Sequence, residues 1–141
     1  MAIQAHPKKT VCTRWHTSTE NLIATTGSDR TIKVWDINNC DDPAITFQDI
    51  PDLCNTFRWS PDGTKIAACI KNKSMAIFDP RQESSCIKAG MHVGPRSQRL
   101  EWIDDESIIS AGFDREAKRQ WGAWDLRNLE QPLLLLSLIH I

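Results

Sequence analysis

A chain of 141 residues, 40% apolar and 25% charged, has the make-up of one globular domain rather than of a disordered tail. Its formal net charge of −1 excludes a bulk electrostatic grip on nucleic acid or on an anionic membrane surface. No apolar run approaches the roughly 20 residues of a membrane-spanning helix, and the opening MAIQAHPKK lacks the apolar core of a secretory signal.

The predicted elements are short strands. Residues 11–16, 22–26, 31–36 and 44–47 form a first group of four, named strands A to D, and the pattern then returns twice. Trp15, Trp59 and Trp102 stand 44 and 43 residues apart. Each precedes a polar turn, at 16–21, 60–64 and 104–106, and each turn leads into an apolar stretch, LIATTG, KIAACI or SIISAG. Each copy closes on an aromatic–Asp pair: Trp35-Asp36, Phe78-Asp79 and Trp124-Asp125. Four strands in about 43 residues is the period of a β-propeller blade. The predicted fold is therefore all-β, a partial propeller of three consecutive four-stranded antiparallel blades. They cover about residues 6–47, 50–89 and 92–136, with 137–141 an unassigned tail. A stretch of blades has two open ends, which predicts apolar faces exposed on the first and last.

The first copy contains GSDRTIKVWD, Gly27 to Asp36, which resembles the WD repeat. The resemblance implies a structural hydrogen-bond network of a His before strand A, a hydroxyl on strand B, an Asp in the B–C turn and the strand C Trp. His6, Thr25 or Thr26, Asp29 and Trp35 fit those places. A catalytic Asp–His pair is the competing reading. In the second copy Asn72 replaces the turn Asp and Phe78 the Trp, so the network is predicted to be lost there. The third has a longer B–C connection, GFDREAKRQW, read as a mobile or protruding loop with Asp114 as its turn Asp.

The cysteines, Cys12, Cys40, Cys54, Cys69 and Cys86, form no CxxC or zinc-knuckle spacing and read as reduced, mostly core thiols. Cys12 and His16 are four apart but lie on an alternating stretch without a second pair of ligands, so no metal is predicted. No nucleophile elbow, P-loop, HExxH or GxGxxG is present, and Asp104-Asp105 reads as a solvated turn. The chain reads as non-catalytic and without a cofactor.

Three stretches resemble coronins: HPKKTVCTRWH, Asp79-Pro80-Arg81 and AGFDREAKRQWGAWDLRNLEQP. The basic signature of that family is read here as Gly112, Phe113, Asp114, Arg115, Arg119, Gln120, Trp124 and Asp125. His92-Val93-Gly94-Pro95-Arg96 resembles its His-x-Gly-x-Arg segment. Asp114, where many short coronins have Ser, leans toward the long tandem members. The resemblance covers about residues 6–136. It implies a stretch of an expected seven-bladed propeller that binds filamentous actin and regulates actin cytoskeleton organisation. It also implies a cytoplasmic, cytoskeleton-associated location. Contact with the actin-related-protein nucleating complex is implied through regions beyond these blades.

Charge sorted by loop gives an independent clue. B–C turns and D–A connections share one side of a propeller. That side holds nine cations, Lys8, Lys9, Arg30, Lys71, Lys73, Arg96, Arg115, Lys118 and Arg119, against five acids. The other side collects Glu20, Asp41, Asp42, Asp62, Glu83, Asp104, Asp105 and Glu106 against Lys65, Arg81 and Arg127. A basic side suits an acidic surface such as an actin filament. The actin-binding candidates are Arg115, Lys118, Arg119, Arg30, Lys71, Lys73 and Arg96. A second function competes: Trp124-Asp125-Leu126-Arg127 resembles the box by which some WD proteins dock on cullin-type ubiquitin ligase adaptors as substrate receptors. Its candidates are Trp124, Asp125 and Arg127.

Overall fold

The computed structural model describes residues 2–82, 84–88 and 91–138. Glu83, residues 139–141 and the side chain of Cys86 lie outside the described residues. Twelve strands and no helix are found among those described. They form three four-stranded sheets, each an antiparallel meander of sequence neighbours. Blade 1 holds β1 (Thr10–Trp15), β2 (Leu22–Gly27), β3 (Ile32–Asp36) and β4 (Ile45–Phe47). In blade 2 the strands are β5 (Cys54–Trp59), β6 (Ile66–Ile70), β7 (Met75–Asp79) and β8 (Ser84–Lys88). Blade 3 consists of β9 (Arg99–Trp102), β10 (Ser107–Phe113), β11 (Arg119–Asp125) and β12 (Leu134–Leu138). The last strand thus runs two residues past the predicted repeat boundary at 136.

Blade 2 shows why the apolar alternation is blurred. Every position of β6, IAACI, is buried, because both faces of that sheet are covered. One face, with Ile66, Ala68 and Phe78, meets Ala24, Ile32 and Val34 of blade 1. The opposite face, with Ala67, Cys69, Met75 and Ile77, meets Leu100, Trp102, Ile108 and Trp124 of blade 3. Each blade therefore has a leading face toward the preceding repeat and a trailing face toward the next. Burying one large apolar side chain contributes about 1.5–3 kcal/mol, so these two layers hold the stack together.

Strand A makes the joint between blades. The Trp59 ring lies against His16 of blade 1, with centroids 4.5 Å apart. Trp102 Nε1 donates to the Arg58 carbonyl of blade 2 at 3.1 Å. Trp15 occupies the matching place on β1, where no blade among the described residues packs on it. It is 59% exposed, where Trp59 and Trp102 are 6% and 8%.

The B–C turns share one geometry. Arg30, Lys73 and Ala117 each adopt positive φ, and their amides bond to Gly27, Ile70 and Asp114 respectively, three residues back. This is a tight turn closed by a left-handed residue. The predicted mobile or protruding loop of the third repeat is a protruding paired hairpin rather than an irregular loop. Its extra residues continue the ladder, with Gly112 opposite Gln120 and Phe113 opposite Arg119. Two residues are added to each strand, and the turn itself keeps its ordinary size. Asp114 is therefore the first residue of the turn, and Glu116 takes the place that Asp29 holds in blade 1. Pairing wins because an irregular loop would leave backbone groups without ladder partners.

Candidate interaction surface

In blade 1 the residues singled out by the WD resemblance are joined by hydrogen bonds. Trp35 Nε1 donates to Thr25 Oγ1 at 3.0 Å, and His6 Nε2 lies 2.9 Å from the same hydroxyl. His6 Nδ1 lies 3.1 Å from both carboxylate oxygens of Asp29, which also accepts from Thr31 Oγ1 at 2.9 Å. Burial works to raise the Asp29 pKa, but the bonds from His6 and Thr31 outweigh it and hold the carboxyl below its ordinary range. Thr26, the other candidate, is the next residue along the strand, points to the opposite sheet face and takes no part. The Asp–His pair is joined with Thr25 and Trp35 in one hydrogen-bonded scaffold.

Blade 3 builds a second network that sequence reasoning missed. Trp124 Nε1 donates to Ser110 Oγ at 2.7 Å, Ser110 Oγ lies 2.8 Å from His92 Nε2, and His92 Nδ1 lies 3.0 Å from Gln120 Oε1. Gln120 takes over the contact with the imidazole Nδ1 that Asp29 makes in blade 1, although in the ladder it matches Thr31. It reaches inward from the lengthened β11 because the turn has moved away. Burial lowers the His92 pKa, and the bonds with Gln120 and Ser110 only partly oppose it. In blade 2 the network is absent, and buried Ala68 and Phe78 fill the places of the hydroxyl and the indole.

The same segment positions the cations. Gly94 donates its amide to the Phe113 carbonyl at 2.7 Å, so close that a Cβ on Gly94 would fall 2.4 Å from that oxygen. Arg96, two residues on, places its guanidinium over the Phe113 ring at 5.2 Å. The His-x-Gly-x-Arg segment is thus pinned to the end of β10 at each of its three named residues. Lys73 reaches across from blade 2 to the Val93 carbonyl at 3.1 Å. Together these contacts put D–A connections and B–C turns on one side.

The structure brings some candidates together and separates others. Lys71, Lys73 and Arg96 line one cleft of about 310 Å³ between blades 2 and 3, with Asn55, Ser97 and Gln98. Arg96 also lines a neighbouring cleft of about 510 Å³ on blade 3 with Arg99 and Arg119. Arg99, at the start of a strand rather than in a loop, was not among the predicted residues. Arg115 and Lys118 project at the blade 3 turn, where Lys118 pairs with Glu116. Arg30 stands apart, in a hollow shared with Asp29 and Asp49.

On the opposite side the A–B turns are tied from blade to blade. His16 Nε2 bonds to the Gly63 carbonyl at 2.8 Å, and its Nδ1 accepts the Thr19 amide at 2.9 Å. Both ring nitrogens are therefore engaged, and among the described residues no metal-ligating cluster forms. Asp105 is not merely a solvated turn residue: its Oδ1 accepts the Asp62 amide at 2.9 Å and joins blades 2 and 3. Asp36, Asp79 and Asp125 each accept the amide two residues on at 2.9 Å, which explains the recurring aromatic–Asp ending. In the W-D-x-R box, Trp124 is committed to the buried network. Arg127 is bound to Asp125 through Nε and Nη2 at 3.0 and 2.9 Å.

Residues 1–36 match the family described as WD domain, G-beta repeat. The chain is 25% identical over 132 residues to Coronin-like protein crn1 of Schizosaccharomyces pombe, covering 93% of this chain and 22% of that protein. It is 28% identical to the Coronin-like protein of Saccharomyces cerevisiae over 92% of this chain and 20% of that one. With human Coronin-7 the identity is 27%, covering 96% of this chain and 15% of the relative. The chain spans about a fifth or less of the length of these relatives. A crystal structure of the WD40 domain from Toxoplasma gondii coronin superimposes with a TM-score of 0.87 at 22% identity, covering 94% of this chain and 35% of that one. The fold is that of a partial WD40 propeller.

Proposed function

We propose that this chain, a coronin-like run of WD repeats, is a non-catalytic module that engages filamentous actin through its basic side. The observation that carries the reading is the grouping of cations: Lys71, Lys73 and Arg96 share one cleft, and Arg96, Arg99 and Arg119 the next. Charges held on tight turns and paired strands present a fixed pattern to surface carboxylates. Arg115 adds an exposed guanidinium at the turn of the longest hairpin. Lys118 contributes less, because Glu116 partly neutralises it, and Arg30 lies in an acidic hollow. The location that follows is cytoplasmic and cytoskeleton-associated. Any contact with the actin-related-protein nucleating complex falls to regions outside these three blades.

The test is filament co-sedimentation of the 141-residue chain at low and moderate salt, with Lys71→Glu and Arg115→Glu combined. Both are exposed, so the far-UV spectrum stays unchanged. Affinity is expected to fall by about tenfold or more at low salt, with a shallower dependence on salt. Equal binding by variant and wild type at both salt levels refutes the basic-side reading. Capture of a cullin-type adaptor that depends on Arg127, with no filament binding, would favour the W-D-x-R reading instead.

A further inference from the structure

The cleft between blades 2 and 3 holds a hydroxyl that the proposed function leaves unused. Ser97 lines it together with Lys71, Lys73 and Arg96. Ser97 is exposed, and its hydroxyl makes no hydrogen bond to any described residue. No carboxylate lines the cleft, so the three cations share it without a counter-charge among the described residues.

The neighbours of Ser97 fix where that hydroxyl sits. Before it, Arg96 stands over the Phe113 ring at 5.2 Å. After it, buried Gln98 donates through Nε2 to the Ser74 carbonyl of blade 2 at 3.0 Å. Lys73, the residue before Ser74, reaches the Val93 carbonyl at 3.1 Å. Ser97 therefore lies pinned beside the blade 2 turn, two residues before β9 begins at Arg99. An exposed hydroxyl outside a strand is open to a kinase. Arg96 and Arg99 flank it with the positive charge that basic-directed serine kinases read. Thr10 also follows two lysines, Lys8 and Lys9, but it is paired within blade 1 opposite Gly27.

We propose that Ser97 is a phosphorylation site whose phosphate is held by Lys71, Lys73 and Arg96, which switches the basic cleft off. The Ser97 Oγ takes the terminal phosphoryl group of ATP. The new Oγ–P bond forms as the bond from that phosphorus to the ADP oxygen breaks, and the hydroxyl proton passes to the kinase's base. A phosphoserine carries about −1.5 to −2 at pH 7, which leaves only about +1 to +1.5 of the charge of the three cations. Its oxygens accept charge-assisted hydrogen bonds from Lys71 and Lys73 of blade 2 and from Arg96 of the connection into blade 3. The site itself stands without the actin reading; weaker filament binding as its consequence rests on that reading.

The experiment incubates the full chain with ATP and serine kinases that select basic flanks, and locates the phosphate by mass spectrometry. Ser97 is expected to be the main site, lost in Ser97→Ala. Phosphorus NMR then follows the titration of the bound group. Its second pKa is expected to fall below the ordinary value of about 6 by roughly half a unit or more, because the cations favour the dianion. Combining Lys71→Ala with Lys73→Ala should return most of that shift with Ser97 still modified. Phosphate placed mainly elsewhere, no uptake at Ser97, or a titration equal to that of the same chain in urea overturns the proposal. Filament co-sedimentation at low salt separates the two readings. Where the unmodified chain binds, the phosphorylated one is expected to bind several-fold more weakly, and equal binding overturns the switch. Where the unmodified chain does not bind, the actin reading fails, and the mass and NMR readouts alone decide the site.

Discussion

Substituting Gly112 by Ala tests whether the blade 3 network is built as described. Gly112 follows Ser110 by two residues, as Gly27 follows Thr25. A Cβ on Gly112 would lie 2.5 Å from His92 Cγ, and one on Gly27 would lie 2.5 Å from the His6 ring. Blade 2 has no such imidazole, and buried Ile70 stands at the same place. The strand therefore accepts a side chain; the ring excludes it. Carbon contacts need about 3.5 Å or more, so His92 must shift by about 1 Å. That motion breaks the 2.8 and 3.0 Å bonds to Ser110 and Gln120. Two lost bonds at about 0.5–1.5 kcal/mol each, with a buried polar atom left unpaired at about 1–3 kcal/mol, give about 2–6 kcal/mol. The urea midpoint followed by tryptophan fluorescence reads this out. In a His92→Ala background the same change should cost under about 0.5 kcal/mol, a coupling above about 1 kcal/mol. An equal cost with and without the ring would refute the reasoning.

The pH dependence of stability follows from the lowered His92 pKa. The unfolded ring takes up its proton near pH 6.5 and the folded one only below it, so stability is full above that pH and is lost as pH falls toward the folded value. Gln120→Glu supplies a charge for the imidazolium and should shrink the loss, as urea midpoints at pH 7.5 and 5.5 would show. Burial pushes the Cys54 and Cys69 thiols up to about 12, so a thiolate-specific reagent at pH 8 should label half-buried Cys12 and Cys40 well before either. In blade 1, Trp35→Ala should cost about 3–5 kcal/mol as a buried large aromatic. Asp29→Ala should cost about 1–3 kcal/mol through unpaired partners. Thermal melts showing both under about 0.5 kcal/mol would mean that the network is not formed.

The blade count, the strand order and the blade 1 network were legible because each repeats with a fixed period or follows one recognisable pattern. Trp15, Trp59 and Trp102 fell at equivalent places because strand A always carries the joint. What was hidden depended on spatial alternatives of equal length. Four extra residues fit a loose loop or two more ladder pairs, and only the pairing of Gly112 with Gln120 decides. Once the hairpin lengthens, the network partner comes from β11, so an Asp-based pattern could not find Gln120. A signal did exist: His92 and Gly112 flank Ser110 as His6 and Gly27 flank Thr25. Arg99 escaped because charges were sorted by loop, whereas the basic side also takes in strand ends. The exposure of Trp15 depends on what precedes it in space and is invisible in its own sequence context.

Hydroxyl, imidazole and indole are kept or replaced together in the three blades, while the turn bond from Thr31 to Asp29 persists in blade 2 as one from Ser74 Oγ to Asn72 Oδ1. A buried hydroxyl, imidazole and indole each need a partner, and removing one leaves the others unsatisfied at a cost larger than the bond itself contributed. Blade 1 meets the imidazole with a carboxylate and blade 3 with an amide, so the acceptor can change while the chain of donors stays complete. Blade 2 has gone the other way: Ala68, Ile70 and Phe78 replace hydroxyl, glycine and indole together, all buried with no polar atom to satisfy. Its position explains why that is tolerated. Blade 2 is packed on both faces, against Val34 and Ile32 on one and Leu100 and Trp102 on the other. Apolar burial there replaces what directional bonds supply in blades 1 and 3. The departures from the repeat pattern thus fall where packing can compensate.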